Sequence, residues 1–174
     1  MSDPVKSDFW EWIKTILVAV ILTLVIRAFL VEVFLVQGES MLPTLHDRER
    51  LLVSKMQYYF RAPRQGEIVV FKATEERDFI KRVIATAGDE IQVLSDGVYV
   101  NGEKLQEDYV LENAREPFGP VVVPENTVFV LGDNRNNSLD SRHPNVGFVA
   151  LKQIKGKAIF VFWPFSAARL ISHQ

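Results

Sequence analysis

The sequence predicts a mostly β domain of antiparallel coiled β-sheets, small and barrel-like, behind one N-terminal transmembrane helix. Residues 10–31 form a long, strongly apolar run, which is typical of a membrane-spanning helix. After residue 31 the apolar residues alternate in short segments separated by tight turns, which is typical of strands. With 174 residues, the chain is most simply one folded domain. We therefore assign a short tail (1–9), an anchor helix (10–31) and a β-rich domain (32–174).

The length of the apolar run supports the anchor. Its uncharged centre, residues 15–26, would span only about 18 Å as a helix, whereas the full run spans about 33 Å, against about 30 Å of hydrocarbon. Lys14 and Arg27 then lie near the ends, where their ammonium and guanidinium groups can reach the headgroups. A cleaved signal peptide and a buried core helix are the competing interpretations. The charge at Arg27 opposes the first, and the apolar surface all round the helix opposes the second.

The rest of the chain reads as short strands and tight turns. Turn sequences such as Ser95-Asp96-Gly97 and Asn101-Gly102 indicate hairpins. The predicted strands are 32–37, 51–56, 67–71, 79–85, 90–94, 98–100, 121–123, 127–131 and 157–163. Residues 132–147, between the last two strands, are polar and irregular.

The composition excludes several kinds of site. Twenty basic and 22 acidic residues give a net charge of −2, so nothing indicates a nucleic-acid partner. The absence of cysteine excludes disulfides, thiolate metal sites and a cysteine nucleophile. The three histidines, His46, His143 and His173, do not have the spacing of a zinc site. We expect neither a metal nor a cofactor.

Ser40 is the first candidate residue for chemistry. It lies in a Gly/Ser bend directly after an apolar run, and Pro43 stiffens the exit from the bend. Such a bend holds a hydroxyl at a fixed angle and leaves backbone N–H groups free. A turn that merely caps a strand has the same sequence, so Ser40 alone does not identify an active site.

Lys81 is the second candidate. Strand alternation places it on one face with Phe79 and Val83, a face that should be buried. Burial disfavours the charged amine and lowers its pKa, which would make Lys81 a base. A lysine that protects an edge strand from aggregation would show the same pattern, so both interpretations stand.

The third candidate is the polar loop 132–142. Its Asn and Asp residues suit a plain loop, because such side chains bond their own backbone in turns. A calcium loop of the EF-hand type fails, since Arg135 occupies the third ligand position. A supporting network is the remaining interpretation, in which Asp140 pairs with Arg142 and Ser138 orients another side chain.

These segments together resemble the ordered sequence boxes of type I signal peptidases. The matching stretches are Gly38–Leu45 around Ser40, Lys81-Arg82 followed by Ala87-Gly88-Asp89, and the loop Gly132–Arg142. The similarity runs from about residue 10 to residue 165. The short spacing between Lys81 and Gly132 is similar to the compact Gram-positive-type members.

The resemblance implies a membrane-anchored serine endopeptidase that removes signal peptides from exported preproteins with a Ser–Lys dyad. It places the enzyme in the cytoplasmic membrane as a single-pass protein, with the catalytic domain on the extracytoplasmic face. It implies that Ser40 is the nucleophile, that the Ser40 backbone N–H holds the oxyanion, and that Lys81 is the general base. Ser138 would orient the Lys81 amine. The remaining implied supporting residues are Asp140, Arg142, Asp133 and Arg82.

One departure from the family pattern concerns the oxyanion. Some members carry a serine two residues before the nucleophile, where this chain has Gly38. Losing one oxyanion donor typically costs about 3 kcal/mol of transition-state stabilisation.

Two other functions fit the sequence. One is a Ser-His-Asp hydrolase that uses Ser40, His143 and either Asp133 or Asp140. The other is a membrane-anchored, non-catalytic β domain that binds exported chains.

Overall fold

The computed structural model describes residues 4–173, apart from the side chains of residues 4–8 and 25–29. One α-helix, α1 (Pro4–Phe29), precedes the strands in this range. Three short 3-10 helices cover Met56–Tyr59, Leu151–Gln153 and Phe165–Ala167. The strands are β1 (Val31–Leu35), β2 (Arg50–Ser54), β3 (Ile68–Lys72), β4 (Asp78–Thr86), β5 (Glu90–Leu94), β6 (Gly97–Val100), β7 (Glu103–Lys104), β8 (Phe118–Val122), β9 (Thr127–Leu131), β10 (Val149–Ala150), β11 (Ile154–Trp163) and β12 (Arg169–Leu170).

Helix α1 begins earlier than the anchor segment assigned from the sequence. Residues 4–9, predicted as a tail, are helical, while residues 1–3 lie outside the described range. The side chains of residues 9–24 are all exposed. In the described part of the chain, no helix combines the length and the apolar character that crossing a membrane requires.

The strands form two antiparallel sheets, which confirms the mostly β fold. The larger sheet has eight strands in the order β1-β2-β11-β3-β4-β9-β10, with β12 added beside β11. The smaller sheet has the order β7-β6-β5-β8. The predicted barrel-like closure is wrong for the described strands, because the larger sheet ends at separate edges, β1 and β10. Alternation of apolar residues reports which face of a strand is buried, but not whether the sheet closes.

Strand β4 positions the centre of the molecule. Its first half pairs with β3, from Lys72 opposite Asp78 to Ile68 opposite Arg82. Its pairing with β9 begins only at Arg82. Residues 78–81 therefore have one free edge, and β1 is the outer strand of the same sheet.

One apolar cluster holds both ends of the bend that contains Ser40. Val36, Met41 and Leu45 are buried in a cluster with residues of β2, β3 and β11. A second cluster joins β4 and β9 to the strands of the smaller sheet. The bend is thus attached to the core by three side chains, and its polar residues are left at the surface.

Candidate active site

The Ser40 bend is a tight double turn. The Leu42 N–H donates to the Glu39 carbonyl at 3.1 Å, and the Leu45 N–H donates to the Met41 carbonyl at 2.9 Å. Because Met41 and Leu45 are buried, these turns are pulled against the core while Ser40 stays only partly buried. The Ser40 hydroxyl is therefore accessible, while the backbone on either side of it is fixed by the turns and by the buried side chains.

Lys81 faces this hydroxyl. Its Nζ lies 2.7 Å from Ser40 Oγ and donates a second hydrogen bond to the Ile80 carbonyl at 3.0 Å. Only 4% of Lys81 is exposed, so the edge-guarding interpretation is wrong. Burial lowers the pKa of Lys81 to about 8, and the carboxylates of Asp140 and Asp133 oppose this shift only in part. A substantial fraction of the amine is therefore neutral near pH 8.

The loop 132–142 is built on buried arginine–carboxylate pairs. Arg82 Nε and Nη2 donate to the two oxygens of Asp133 at 2.9 and 2.6 Å, and both side chains are almost fully buried. Arg142 binds Asp140 in the same forked manner, at 2.9 Å for each bond. These pairs leave neither carboxylate free to act as an acid or a base in a reaction.

Further bonds attach this loop to the Ser40 bend and to β9. The Asn134 N–H donates to the Ser40 carbonyl at 3.1 Å. Ser141 Oγ accepts from the Val130 N–H at 2.9 Å, which returns the chain to β9. At Gly132 a Cβ atom would overlap the Ser40 carbonyl oxygen and the Ser138 side chain, so only glycine fits there.

Ser138 is placed beside the site but does not bond Lys81. Its Oγ is buried and has no hydrogen-bond partner among the described residues. The predicted Ser138–Lys81 bond is absent because the Lys81 amine is turned toward Ser40 Oγ and the Ile80 carbonyl. That Ser138 orients the amine during the reaction stays a prediction.

The structure limits the possible oxyanion donors. The Gly38 N–H is already bound to Asp47 Oδ1 at 2.8 Å, and Gly38 has φ +86°, a backbone conformation that favours glycine. In the described part of the chain, the Ser40 N–H donates no hydrogen bond. Between these two, only the Ser40 N–H is available for an oxyanion.

His143 does not complete a triad with Ser40. It is exposed, and its Nδ1 accepts from the Asn145 N–H at 3.2 Å. It lines a separate cavity of about 400 Å³ behind the loop 132–142. Since Asp133 and Asp140 are bound to arginines, the Ser-His-Asp alternative lacks both its histidine and its carboxylate.

A cleft of about 640 Å³ opens in front of Ser40 and Lys81. Its two walls are residues 33–37, at the end of β1, and residues 76–81, at the start of β4. Both walls include strand edges without a neighbouring strand. An extended peptide could therefore pair with either edge and cross the Ser40 hydroxyl.

Two supporting residues were not predicted. Glu107 binds Arg135 through two hydrogen bonds of 2.9 and 2.6 Å, and both side chains are buried. The centroid of the Tyr109 ring lies 3.7 Å from Arg82 Cζ, so the ring covers that buried charge. Both lie in an irregular segment, where no periodicity connects them to the loop. In the described part of the chain, no group of three or more potential metal ligands occurs.

Comparison with known proteins gives matches over most of the chain. The family described as "Signal peptidase, peptidase S26" matches residues 9–163. A signal peptidase I of Bacillus licheniformis is 44% identical, with 94% of each chain covered. Signal peptidase I T of Bacillus subtilis is 43% identical, over 94% of this chain and 90% of that one. A crystal structure of a signal peptidase I from Enterococcus faecalis is 31% identical, with a TM-score of 0.49, and covers 56% of this chain and 97% of that chain.

Proposed function

The chain belongs to the signal peptidase family, peptidase S26, and on that premise we propose that it cleaves signal peptides from exported preproteins with a Ser40–Lys81 dyad. The observation that carries the dyad is the 2.7 Å distance between Lys81 Nζ and Ser40 Oγ, with the lysine almost fully buried. A serine hydroxyl beside a neutral amine needs no histidine to become a nucleophile.

The reaction begins with the neutral Lys81 amine. It takes the proton of Ser40 Oγ while the oxygen attacks the carbonyl carbon of the scissile peptide bond. The Ser40 N–H stabilises the resulting oxyanion. As the C–N bond breaks, the Lys81 ammonium returns the proton to the leaving amine, and an ester of Ser40 remains. Lys81 then deprotonates a water molecule, which hydrolyses the ester and restores both side chains.

The substrate lies in the cleft as an extended strand along the free edges at 33–37 and 78–81. Main-chain hydrogen bonds to these edges hold it, and alternate side chains point into the cleft. Ser138 completes the site by accepting a hydrogen bond from the Lys81 ammonium formed in the reaction. Its buried, unpartnered Oγ supports this role, because such an atom is costly unless it gains a partner.

Helix α1 anchors the protein in the cytoplasmic membrane by a single pass, with the β-rich domain on the extracytoplasmic face. The exposed, mostly apolar side chains of residues 9–24 support this proposal. Trp163 and Phe165 are exposed and meet edge to face, with ring centroids 4.9 Å apart, and they would rest on the lipid surface. Extraction of the full chain from vesicles with alkaline carbonate tests the anchor, since a protein without one would be released.

The decisive experiment is processing of a model preprotein in detergent by the full chain and by three variants. Ser40→Ala and Lys81→Ala should each abolish cleavage, whereas His143→Ala should cleave at the wild-type rate. Cleavage that survives Ser40→Ala would exclude Ser40 as the nucleophile, and absence of cleavage by the wild type would favour a non-catalytic binding domain. Loss of cleavage in His143→Ala with retention in Lys81→Ala would exclude the dyad.

A further inference from the structure

The Ser40 bend is held from a second side by the last residues of the described chain. The Arg169 guanidinium donates to the two oxygens of Glu49 at 2.7 and 2.9 Å, and its Nη2 also donates to the Thr44 carbonyl at 2.6 Å. Arg169 lies beyond residue 163, where the family match ends. The loop 132–142 reaches the same Thr44 from the other side, where Thr44 Oγ1 donates a hydrogen bond to Asp133.

The segment that carries Arg169 is itself fixed. Strand β12 pairs with β11, so that Arg169 lies opposite Val161. Ile171 is buried in the cluster that also contains Met41 and Leu45. The His173 ring accepts a hydrogen bond from the Ile68 N–H at 3.3 Å. The guanidinium is therefore presented to the bend from a segment with its own attachments.

The contact with Thr44 bears directly on Ser40. Thr44 lies one turn after Ser40, inside the double turn closed by the Leu42 and Leu45 N–H groups. Glu49 closes the base of the loop 36–49 that contains this turn, because its backbone carbonyl accepts a hydrogen bond from the Val36 N–H at 2.8 Å. Arg169 thus joins the carbonyl at the end of the turn to the residue at the base of the loop.

Glu49 is buried and charged, which suits it to the contact with Arg169. It is 3% exposed, and its carboxylate also accepts from the His46 N–H at 3.0 Å. Burial would raise the pKa of Glu49, but the hydrogen bonds from Arg169 and His46 outweigh it and leave the pKa lowered. A charged Glu49 therefore keeps the guanidinium in place against Thr44.

We infer that Arg169 is a positioning residue for the nucleophile: by holding the Thr44 carbonyl and Glu49 together, it fixes the turn that aims Ser40 Oγ at Lys81. Its effect on cleavage rests on the proposed function. Arg169 is not among the residues that line the cleft, so the inference predicts a change in kcat with KM nearly constant. Misplacement of a reacting group by about 1 Å can cost about 100-fold in rate.

The test uses the full chain in detergent, with Arg169→Ala, Arg169→Lys and the exposed-surface control Arg64→Gln. Arg169→Ala should lower kcat by about 10- to 100-fold with KM within about threefold, and Arg169→Lys should lie between it and the wild type. The pH dependence of kcat/KM should not shift, because Arg169 does not contact Lys81. Because 35% of its side chain is exposed, millimolar ethylguanidinium should restore part of kcat in Arg169→Ala.

A double variant separates positioning from stability. Arg169→Ala leaves Glu49 buried and unpaired, which should lower the unfolding midpoint. Arg169→Ala/Glu49→Gln removes that stranded charge, so the midpoint should recover while kcat stays low. If kcat recovers together with the midpoint, or if folded Arg169→Ala retains wild-type kcat, the inference is wrong.

Hydrogen–deuterium exchange provides a readout that does not depend on cleavage. The amides of residues 37–49 should exchange faster in Arg169→Ala than in the wild type. Their exchange rates in Arg64→Gln should equal those of the wild type. If the wild type cleaves no preprotein, the proposed function fails, and exchange alone decides whether Arg169 fixes the loop. Equal exchange in the wild type and Arg169→Ala overturns the inference even if the enzyme is active.

Discussion

Replacing Lys81 by methionine should stabilise the protein relative to the wild type at neutral pH, and the advantage should disappear in alkali. Lys81 has a pKa of about 8 in the folded protein, against 10.5 as its ordinary value. Below pH 8 the lysine is charged in both the folded and the unfolded state, so its burial cost is constant. Between pH 8 and 10.5 the unfolded chain holds the extra proton, and stability rises with pH.

The magnitude follows from that difference in pKa. From pH 7 to pH 10 the wild type should gain about 2 to 3 kcal/mol of stability that the methionine variant does not gain. At pH 7 the variant also loses the two hydrogen bonds that Lys81 donates to Ser40 and Ile80, each worth about 1 kcal/mol. The net advantage of the variant at pH 7 should therefore be about 1 kcal/mol.

Urea unfolding of the full chain in one detergent, followed by tryptophan fluorescence at several pH values, measures this difference. Lys152→Met is the matched control, because it makes the same substitution at an exposed lysine. If the difference in unfolding free energy between the wild type and Lys81→Met stays constant from pH 7 to 10, burial does not depress the pKa of Lys81. The assignment of Lys81 as a base would then lose its physical support.

Three further outcomes are expected from the same geometry. Because the neutral Lys81 amine is the base, kcat/KM on a signal-peptide substrate should rise with pH and level off above an apparent pKa of about 8; a profile flat from pH 6 to 10 would contradict this. Gly132→Ala should lower kcat by about 100-fold, since the new methyl group displaces the Ser40 carbonyl; normal turnover would show that the bend tolerates the shift. Asp133→Asn leaves Arg82 as a buried, unpaired charge and should cost about 3 to 5 kcal/mol in urea unfolding, whereas a cost near zero would mean that the pair is not desolvated.

The elements and residues that local pattern determines could be predicted from the sequence. Alternation placed Lys81 on the inward face of its strand, and the structure has it buried there. The composition identifies the loop 132–142 as polar and irregular, and in the structure its charged residues form buried ion pairs. The family resemblance, which the comparisons confirm, joined these segments into one site.

The contacts that depend on distant parts of the chain could not be predicted. Glu107 and Arg135 lie far apart in irregular segments, and no spacing rule pairs them. Strands β7, β10 and β12 have two residues each, too few for a periodicity to be read. Arg169 and Glu49 are 120 residues apart in the sequence, and they meet because β12 pairs with β11. The direction of the Lys81 amine, which donates to Ser40 and Ile80 and not to Ser138, also cannot be predicted from a sequence.

The buried ion pairs around the site also determine how it responds to salt. Dissolved ions weaken the attraction between exposed charges such as Lys72 and Glu75, because they can gather around both groups. They cannot approach Arg82 and Asp133, or Arg135 and Glu107, which the protein has removed from solvent. We therefore expect these two buried pairs, which support the loop beside Ser40, to respond less to ionic strength than exposed pairs do.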